Sequence, residues 1–307
     1  MTTRNRAGIL EGVLDSYTRL TAPPEGWQVV IVDNGSTDST PEVVRRFAGR
    51  LPVTYVLEPQ AGKSRAVNAG LRRVAGDLIL FTDDDILPCP DWLTQYATAA
   101  ASQPDYDVFG GPELLKWPCE PPTWAICDKT VRGLCFAHVD RTHRTGPFAG
   151  LLVGGNFAVR ARAQVQIGEF NPDVGPMPGA YTMGNEAEFI ERLRRAGYQV
   201  WWIQDAVAEH IIRPEQVTKK WMWSRAIRAG RGEYRRDVAS EGPPKLMAGL
   251  PRWVIRVLVE QLGRVAAAYI RRNERDSFVA RWYLNYYAGM LVEARRMRSA
   301  VSPKSRR

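Results

Sequence analysis

The chain is poor in the residues that build metal cages and disulfide frameworks: four cysteines and three histidines in 307 residues. Cys89, Cys119, Cys127 and Cys135 form no CxxC pair, which argues against a zinc site. They read as ordinary thiols of a reducing compartment. His138 and His143 lie five apart in a polar stretch and read as solvated, while His210 follows a short apolar segment, where a lone histidine is usually structural. The amino end, Met1-Thr2-Thr3-Arg4-Asn5-Arg6, lacks the apolar run of a secretory leader. The most apolar part of the tail is cut by charges, against a spanning helix of ~20 apolar residues. No internal repeat or low-complexity tract is present. These absences predict a cytoplasmic globular protein.

What is there fits that class. The chain is 45% hydrophobic and 10% aromatic, enough for one large or two small domains with a real core. Its net charge of +9 and pI near 9.6 point to anionic partners such as nucleotide phosphates, nucleic acid or an anionic membrane.

Along the chain, residues 7–20 carry a helical pattern of Ile9, Leu10, Val13, Leu14 and Tyr17. Gln28–Val32 and Val53–Leu57 read as strands, each followed by a loop and a helix, the first from Pro41 and the second from Gly62 to Val74. Leu78-Ile79-Leu80-Phe81 is a third strand, closed by Asp83-Asp84-Asp85. Strand and helix alternating over short loops predicts an α/β sheet of mostly parallel strands. Ligands sit at the carboxyl ends of such strands, so Asp33 and Asp83 to Asp85 should face one crevice. Three adjacent carboxylates repel one another unless a cation neutralises them. The plain alternative is an acidic turn capping the next helix, with Pro88, Pro90 and Asp91 following.

Beyond residue 100, Val108–Leu115 reads as one strand, and 116–147, rich in Pro, Trp and Gly, as an irregular insert shaping an acceptor site. Gly154-Gly155-Asn156 inside an apolar run suggests backbone close to a ligand. Asn185–Ala196 is a helix, Val200–Ile203 and Ala206–Glu209 are short strands, and Thr218–Ala229 is a basic aromatic helix ending at Gly230. Gly242-Pro243-Pro244 reads as a linker before a helical tail from Lys245 to Arg296 with a basic end. Gly62-Lys63-Ser64 is not a phosphate-binding P-loop, because position 57, where that motif needs its first glycine, is Leu57.

Five motifs in order carry a family resemblance: Val32-Asp33-Asn34-Gly35-Ser36-Thr37-Asp38, Gly62-Lys63-Ser64-Arg65 through Gly70, Phe81-Thr82-Asp83-Asp84-Asp85, Gly154-Gly155-Asn156 with Arg160, and Gly184-Asn185-Glu186-Ala187-Glu188-Phe189. Over roughly residues 3–235 the chain resembles the family 2 inverting glycosyltransferases of GT-A fold. That resemblance implies a GT-A Rossmann-like domain over 1–215 and a helical extension over 216–307. It implies a nucleotide-diphosphate sugar donor, UDP-linked as first expectation, and a saccharide, lipid-linked or other hydroxyl acceptor in cell-envelope polysaccharide synthesis. Nucleotide-binding roles fall to Asp33, Lys63, Arg65, Asp83 and Asp84. A divalent cation, Mg²⁺ or Mn²⁺, falls to Asp83, Asp85 and His210, and the acceptor to Gly154, Gly155, Asn156 and Glu188. Nucleic acid is not an expected partner.

Glu186 is implied as the general base, replacing the second residue of the family's usual Glu-Asp with a side chain one methylene longer. Helix geometry agrees. Glu186 precedes Phe189, Ile190 and Leu193 by three, four and seven residues and shares their inward face, in a first turn whose dipole favours a carboxylate. Glu188 turns roughly 200° away, toward Arg192 and Arg195. The family's first apolar strand is missing: only Met1-Thr2 precede Thr3-Arg4-Asn5-Arg6. The expectation is that upstream sequence encodes it, and that without it both neighbouring strands keep unpaired backbone groups.

Two rival readings are a nucleotidyltransferase and a non-catalytic nucleotide- or membrane-binding protein. The first leaves Glu186 unexplained. In the tail, Arg252, Arg256, Glu260 and Arg264 fall four apart, a polar stripe on an otherwise apolar helix. The expectation is a helix packed on the catalytic domain; the second reading is an interfacial helix at the inner face of a membrane.

Overall fold

The computed structural model describes residues 1–176, 181–241, 246–247 and 250–301, with side chains for 1–176, 181–238 and 252–298. Gly242-Pro243-Pro244 and the basic end beyond residue 301 lie outside the described residues. The chain divides into two compact units. One comprises Met1–Lys116, Ala137–Gly179 and Asn185–Ile211; the other comprises Trp117–Phe136, Ala180–Gly184 and Ile212–Arg307. The insert at 117–136 groups with the carboxyl-terminal helices.

The first unit opens with strand β1 (Thr2–Thr3), helix α1 (Ala7–Tyr17), β2 (Val29–Asp33), α2 (Thr40–Phe47), β3 (Val53–Leu57), α3 (Lys63–Leu71) and β4 (Leu78–Phe81). β1, β2 and β3 pair in parallel. The alternation of a strand explains how β2 is covered on both faces. Val29 and Ile31 join Leu10, Val13, Val43, Val44 and Phe47 from α1 and α2, while Val30 and Val32 meet Ala66 and Ala69 of α3. Gly70 of α3 permits this approach, since a Cβ there would stand 3.0 Å from Val32 Cγ2.

β1 holds two residues and pairs with β2 where the first strand was expected. The Met1 ammonium donates to Val30 O at 3.1 Å, Val32 N–H donates to Met1 O at 3.0 Å and Asn34 N–H to Thr3 O at 2.9 Å. Burial lowers the Met1 amine to about 6, against the nearby Asp83 charge, which raises it. Among the described residues β4 pairs with a later strand on one side only. A cavity of about 590 Å³ is lined by Val30 and Val32 of β2 and by Ile79, Leu80 and Phe81 of β4.

After β4 come β5 (Ile86–Pro88), α4 (Trp92–Ser102), β6 (Val108–Gly110) and β7 (Glu113–Lys116). The single strand expected over Val108–Leu115 is thus two strands in different sheets. They are broken at Gly111-Pro112, where a Cβ on Gly111 would meet Ala206 O at 2.3 Å. The insert is not irregular: it holds α5 (Thr123–Ile126), α6 (Lys129–Phe136) and β8 (Gly146–Phe148). β9 (Phe157–Arg160), α7 (Ala161–Ile167), α8 (Asn185–Arg195), β10 (Val200–Trp202) and β11 (Ala208–Ile211) complete the first unit.

Beyond β3 the sheets are mixed rather than mostly parallel. The order β4-β9-β6-β10-β8 is antiparallel except for β6 with β10, and β5-β11-β7 has one antiparallel and one parallel pair. A core of Val108, Phe157, Val159, Phe189, Leu193, Val200 and Trp202 holds α8 against this sheet.

The second unit contains α5, α6, α9 (Lys219–Glu241), α10 (Arg252–Ile270) and α11 (Glu274–Val301). α9 does not stop at Gly230. It runs through, because glycine there serves a helix crossing: a Cβ on Gly230 would stand 1.8 Å from Tyr286 O, and one on Gly289 2.2 Å from Ile227 O. Fully buried Glu293 binds Arg231 at 2.7 Å and Arg235 at 2.6 Å, so its charge is paired twice. The tail expected to be helical holds α10 and α11.

Candidate functional site

The three aspartates after β4 are neutralised by the protein's own cations. Lys63 Nζ, at the start of α3, lies 2.8 Å from Asp83 Oδ1. One Arg6 guanidinium nitrogen lies 2.9 Å from Asp84 Oδ1 and 2.6 Å from Asp85 Oδ2. His210 Nε2 on β11 is 3.6 Å from Asp85 Oδ2. Cations that offset this repulsion thus come from within the chain, from Lys63 and Arg6, 20 to 79 positions away.

Burial pushes the Asp84 carboxyl up to about 6, with Arg6 opposing and the Asp85 charge adding to the rise. Burial also works against the charge of Asp85, but His210 and Arg6 outweigh it and hold that carboxyl well below the usual range. For Lys63, burial is outweighed by Asp83 and Glu186, and the ammonium is held above its usual range.

The same Lys63 Nζ lies 2.7 Å from Glu186 Oε1, in the first turn of α8. One ammonium thus joins the acidic cluster to the carboxylate singled out as the base. Phe189, Ile190 and Leu193 are buried beneath Glu186, as the helical spacing predicts. Glu188 is engaged elsewhere, in a forked pair with Arg192 at 2.7 and 3.1 Å. Arg192 also donates to the carbonyls of Ile167 and Glu169.

The glycines of the Gly154-Gly155-Asn156 segment have distinct reasons. A Cβ on Gly154 would stand 2.6 Å from Glu186 Cγ, and one on Gly155 2.6 Å from Glu113 Oε2. Asn156 does not face an acceptor. It is fully buried, and its Oδ1 accepts from Trp92 Nε1 at 2.8 Å and Tyr96 OH at 2.9 Å. Its Nδ2 donates to Pro112 O at 2.7 Å and Ala206 O at 2.8 Å. With every donor and lone pair used, the amide pins four segments together.

Asp33, at the end of β2, is fully buried and accepts from Tyr55 OH at 2.9 Å and Ser36 N–H at 2.7 Å. A carboxylate has about four acceptor sites, so these two bonds leave acceptor capacity over. Burial and the bond to Asp33 push Tyr55 up to about 12, keeping its proton available for that bond. Arg65 is turned outward and donates to Gln60 Oε1 at 3.1 Å, outside the Lys63 cluster.

Sequence reasoning missed Arg6 and Glu113. Glu113 is buried below His210, with Oε1 3.6 Å from His210 Nδ1 and Oε2 without a hydrogen-bond partner. Burial pushes it up to about 8, with His210 opposing. The available signal was a lone glutamate inside the apolar run Val108–Leu115.

No three His, Cys, Asp or Glu side chains among the described residues form a ready-made cation cage. The donor set still fits a cation of the Mg²⁺ or Mn²⁺ kind. Such ions take one or two carboxylates and complete their shell with phosphate oxygens and water, and the facing pair of Asp85 and His210 offers two donors.

Residues 1–161 match the sequence profile described as Glycosyl transferase family 2. Over 254 residues the chain is 24% identical to glycosyltransferase AglE of Haloferax volcanii, spanning 82% of this chain and 77% of that protein. Its fold is similar to a mannosyltransferase from Pyrobaculum calidifontis solved with GDP-Man and Mn²⁺, at TM-score 0.55 and 20% identity over 100% of this chain and 74% of the other. It is also similar to residues 1–349 of S. aureus TarS solved with UDP-GlcNAc, at TM-score 0.52 and 16% identity over 96% and 90% of the two chains. These likenesses establish a GT-A-like α/β fold.

Proposed function

The chain belongs to glycosyl transferase family 2, and from that premise we propose that it moves a sugar from a nucleoside-diphosphate donor to an acceptor hydroxyl with inversion. The observation that supports this reading is Lys63, which joins Asp83 of the acidic cluster to Glu186 of α8. Donor-side and acceptor-side carboxylates then flank one reacting centre.

In this reading Asp33 accepts a hydrogen bond from the nucleotide base, and Asp83 and Asp84 line the ribose and diphosphate. Asp85 and His210 would hold a divalent cation, which when bound would supply charge neutralisation at the departing diphosphate. Glu186 takes the proton of the acceptor hydroxyl as that oxygen bonds to the anomeric carbon, and the bond from that carbon to the phosphate oxygen breaks. Lys63 passes from its carboxylate partners to the developing negative charge of the leaving group. Gly154 leaves Glu186 room beside the acceptor.

A thermal-shift panel tests the reading. UDP, GDP and their sugar conjugates are offered with and without Mn²⁺. At least one pair should raise the melting temperature; at a hundredfold excess over Kd the stabilisation is about 2.7 kcal/mol. A flat response to every nucleotide in both conditions contradicts the proposal.

Gly154→Ala probes the base side alone. A methyl 2.6 Å from Glu186 Cγ must displace that side chain. Turnover should fall roughly 10- to 100-fold, the scale of a displaced catalytic group. Donor affinity by calorimetry should hold. Full turnover in the Gly154→Ala enzyme places the base elsewhere.

A further inference from the structure

α10 wears its hydrophobicity on the outside. Val254, Gln261 and Ala268, seven residues apart, form its buried side. Val259, Leu262, Tyr269 and Ile270 are 64, 54, 75 and 79% exposed. With exposed Ala266 they recur at i, i+3, i+7, i+10 and i+11, one stripe about 17 Å long at 1.5 Å per residue. A polar Gln261 faces inward while four large apolar side chains face out, the reverse of a helix that needs only its own unit for burial.

The edge of this stripe is basic. Arg252, Arg256 and Arg264 lie along one flank and are exposed, and Arg271 and Arg272 follow at the carboxyl end. Glu260, the one acid of α10, is paired with Arg256 at 3.6 Å. Among the described residues Arg252 and Arg264 have no carboxylate partner. The helix is also not a membrane span: among the described residues no helix is long and apolar enough to cross a bilayer.

We propose that this stripe docks α10 flat on an anionic lipid surface. Apolar side chains enter the acyl boundary while the arginine flank meets lipid phosphates, and Tyr269 keeps its hydroxyl at the headgroups. A second copy of the chain suits the stripe less well. Antiparallel two-fold pairing of two such helices sets like flank against like flank, arginine against arginine, and parallel pairing gives the arginines no carboxylate, because Glu260, the one acid of α10, is already held by Arg256. The proposal does not depend on the transfer chemistry.

Flotation of the full chain with phosphatidylcholine vesicles, with and without phosphatidylglycerol, tests it. The protein should float with the anionic vesicles at low salt, float less as salt shortens the screening length, and stay down with neutral ones. Leu262→Glu should cut the bound fraction at least about tenfold. Because Leu262 is exposed, the variant should keep the parent melting temperature, and Ile270→Glu serves as an independent second variant. Failure of the parent chain to float with anionic vesicles at low salt overturns the proposal. So does binding that neither variant weakens, or a parent dimer that Leu262→Glu splits without any vesicle binding.

Discussion

Glu186→Gln should turn over about 10²-fold or more slowly than the parent, the usual scale for loss of a general base, while its affinity for the sugar donor stays within about twofold. The groups around Glu186 stay in place in this variant. Its Oε1 takes a 2.7 Å bond from Lys63, and a glutamine oxygen can take the same bond. The fold at α8 is anchored by Phe189, Ile190 and Leu193, which the substitution does not touch. Only the capacity to receive a proton is removed.

Glu188→Gln is the internal control, and it should be nearly silent in turnover. It loosens the forked pair with Arg192, which costs roughly 1 kcal/mol or less for a partly exposed i,i+4 pair. Initial rates and donor affinity for both variants decide the matter. A slow Glu188→Gln beside an active Glu186→Gln would reverse the assignment of the base.

Asp85→Ala should lose the Mn²⁺-dependent part of donor binding and turnover together. Its carboxylate is buried, bound by Arg6 at 2.6 Å and faced by His210 at 3.6 Å. Removal takes one of the two facing cation donors. It also leaves Arg6 to share Asp84 alone. Asp85→Asn keeps the shape and guards against misfolding as the explanation. The readouts are transfer rate against Mn²⁺ concentration and the melting shift that Mn²⁺ and nucleotide produce together. Asp38→Ala is the milder comparison. Asp38 binds the Ala7 and Thr40 amides and the Thr40 hydroxyl at an exposed turn, so its loss loosens that turn without removing a cation donor. A metal response in Asp85→Ala equal to that of the parent would remove Asp85 from the cation site.

Both predictions lean on features legible in the sequence. The strand–loop–helix order through Phe81, the carboxylates at the ends of β2 and β4, and the inward face of α8 all follow from periodicities of two and 3.6 residues. Those periodicities are local, so a one-dimensional reading can see them. The same reading saw too little of the region 108–147. The break at Gly111-Pro112 sends β6 and β7 into separate sheets, and α5 and α6 are short helices whose apolar faces are completed by α9 and α11. Gly230 was misread for a related reason. A glycine that ends a helix and one that lets a second helix approach are identical in sequence, and only the backbone of Tyr286 nearby separates them.

By itself, then, the sequence determined the α/β beginning, the acidic strand end and that Glu186 rather than Glu188 lies over the buried face of α8. Tertiary structure alone decided how the buried charges are balanced. Arg6 meets Asp84 and Asp85 across 78 and 79 residues, Lys63 meets both Asp83 and Glu186, and Glu113 comes to lie under His210 through the pairing of β7 with β11. Charge partners of this kind are set by strand order and register. Those in turn depend on which apolar faces find one another over the whole chain, and no local pattern of residues records that.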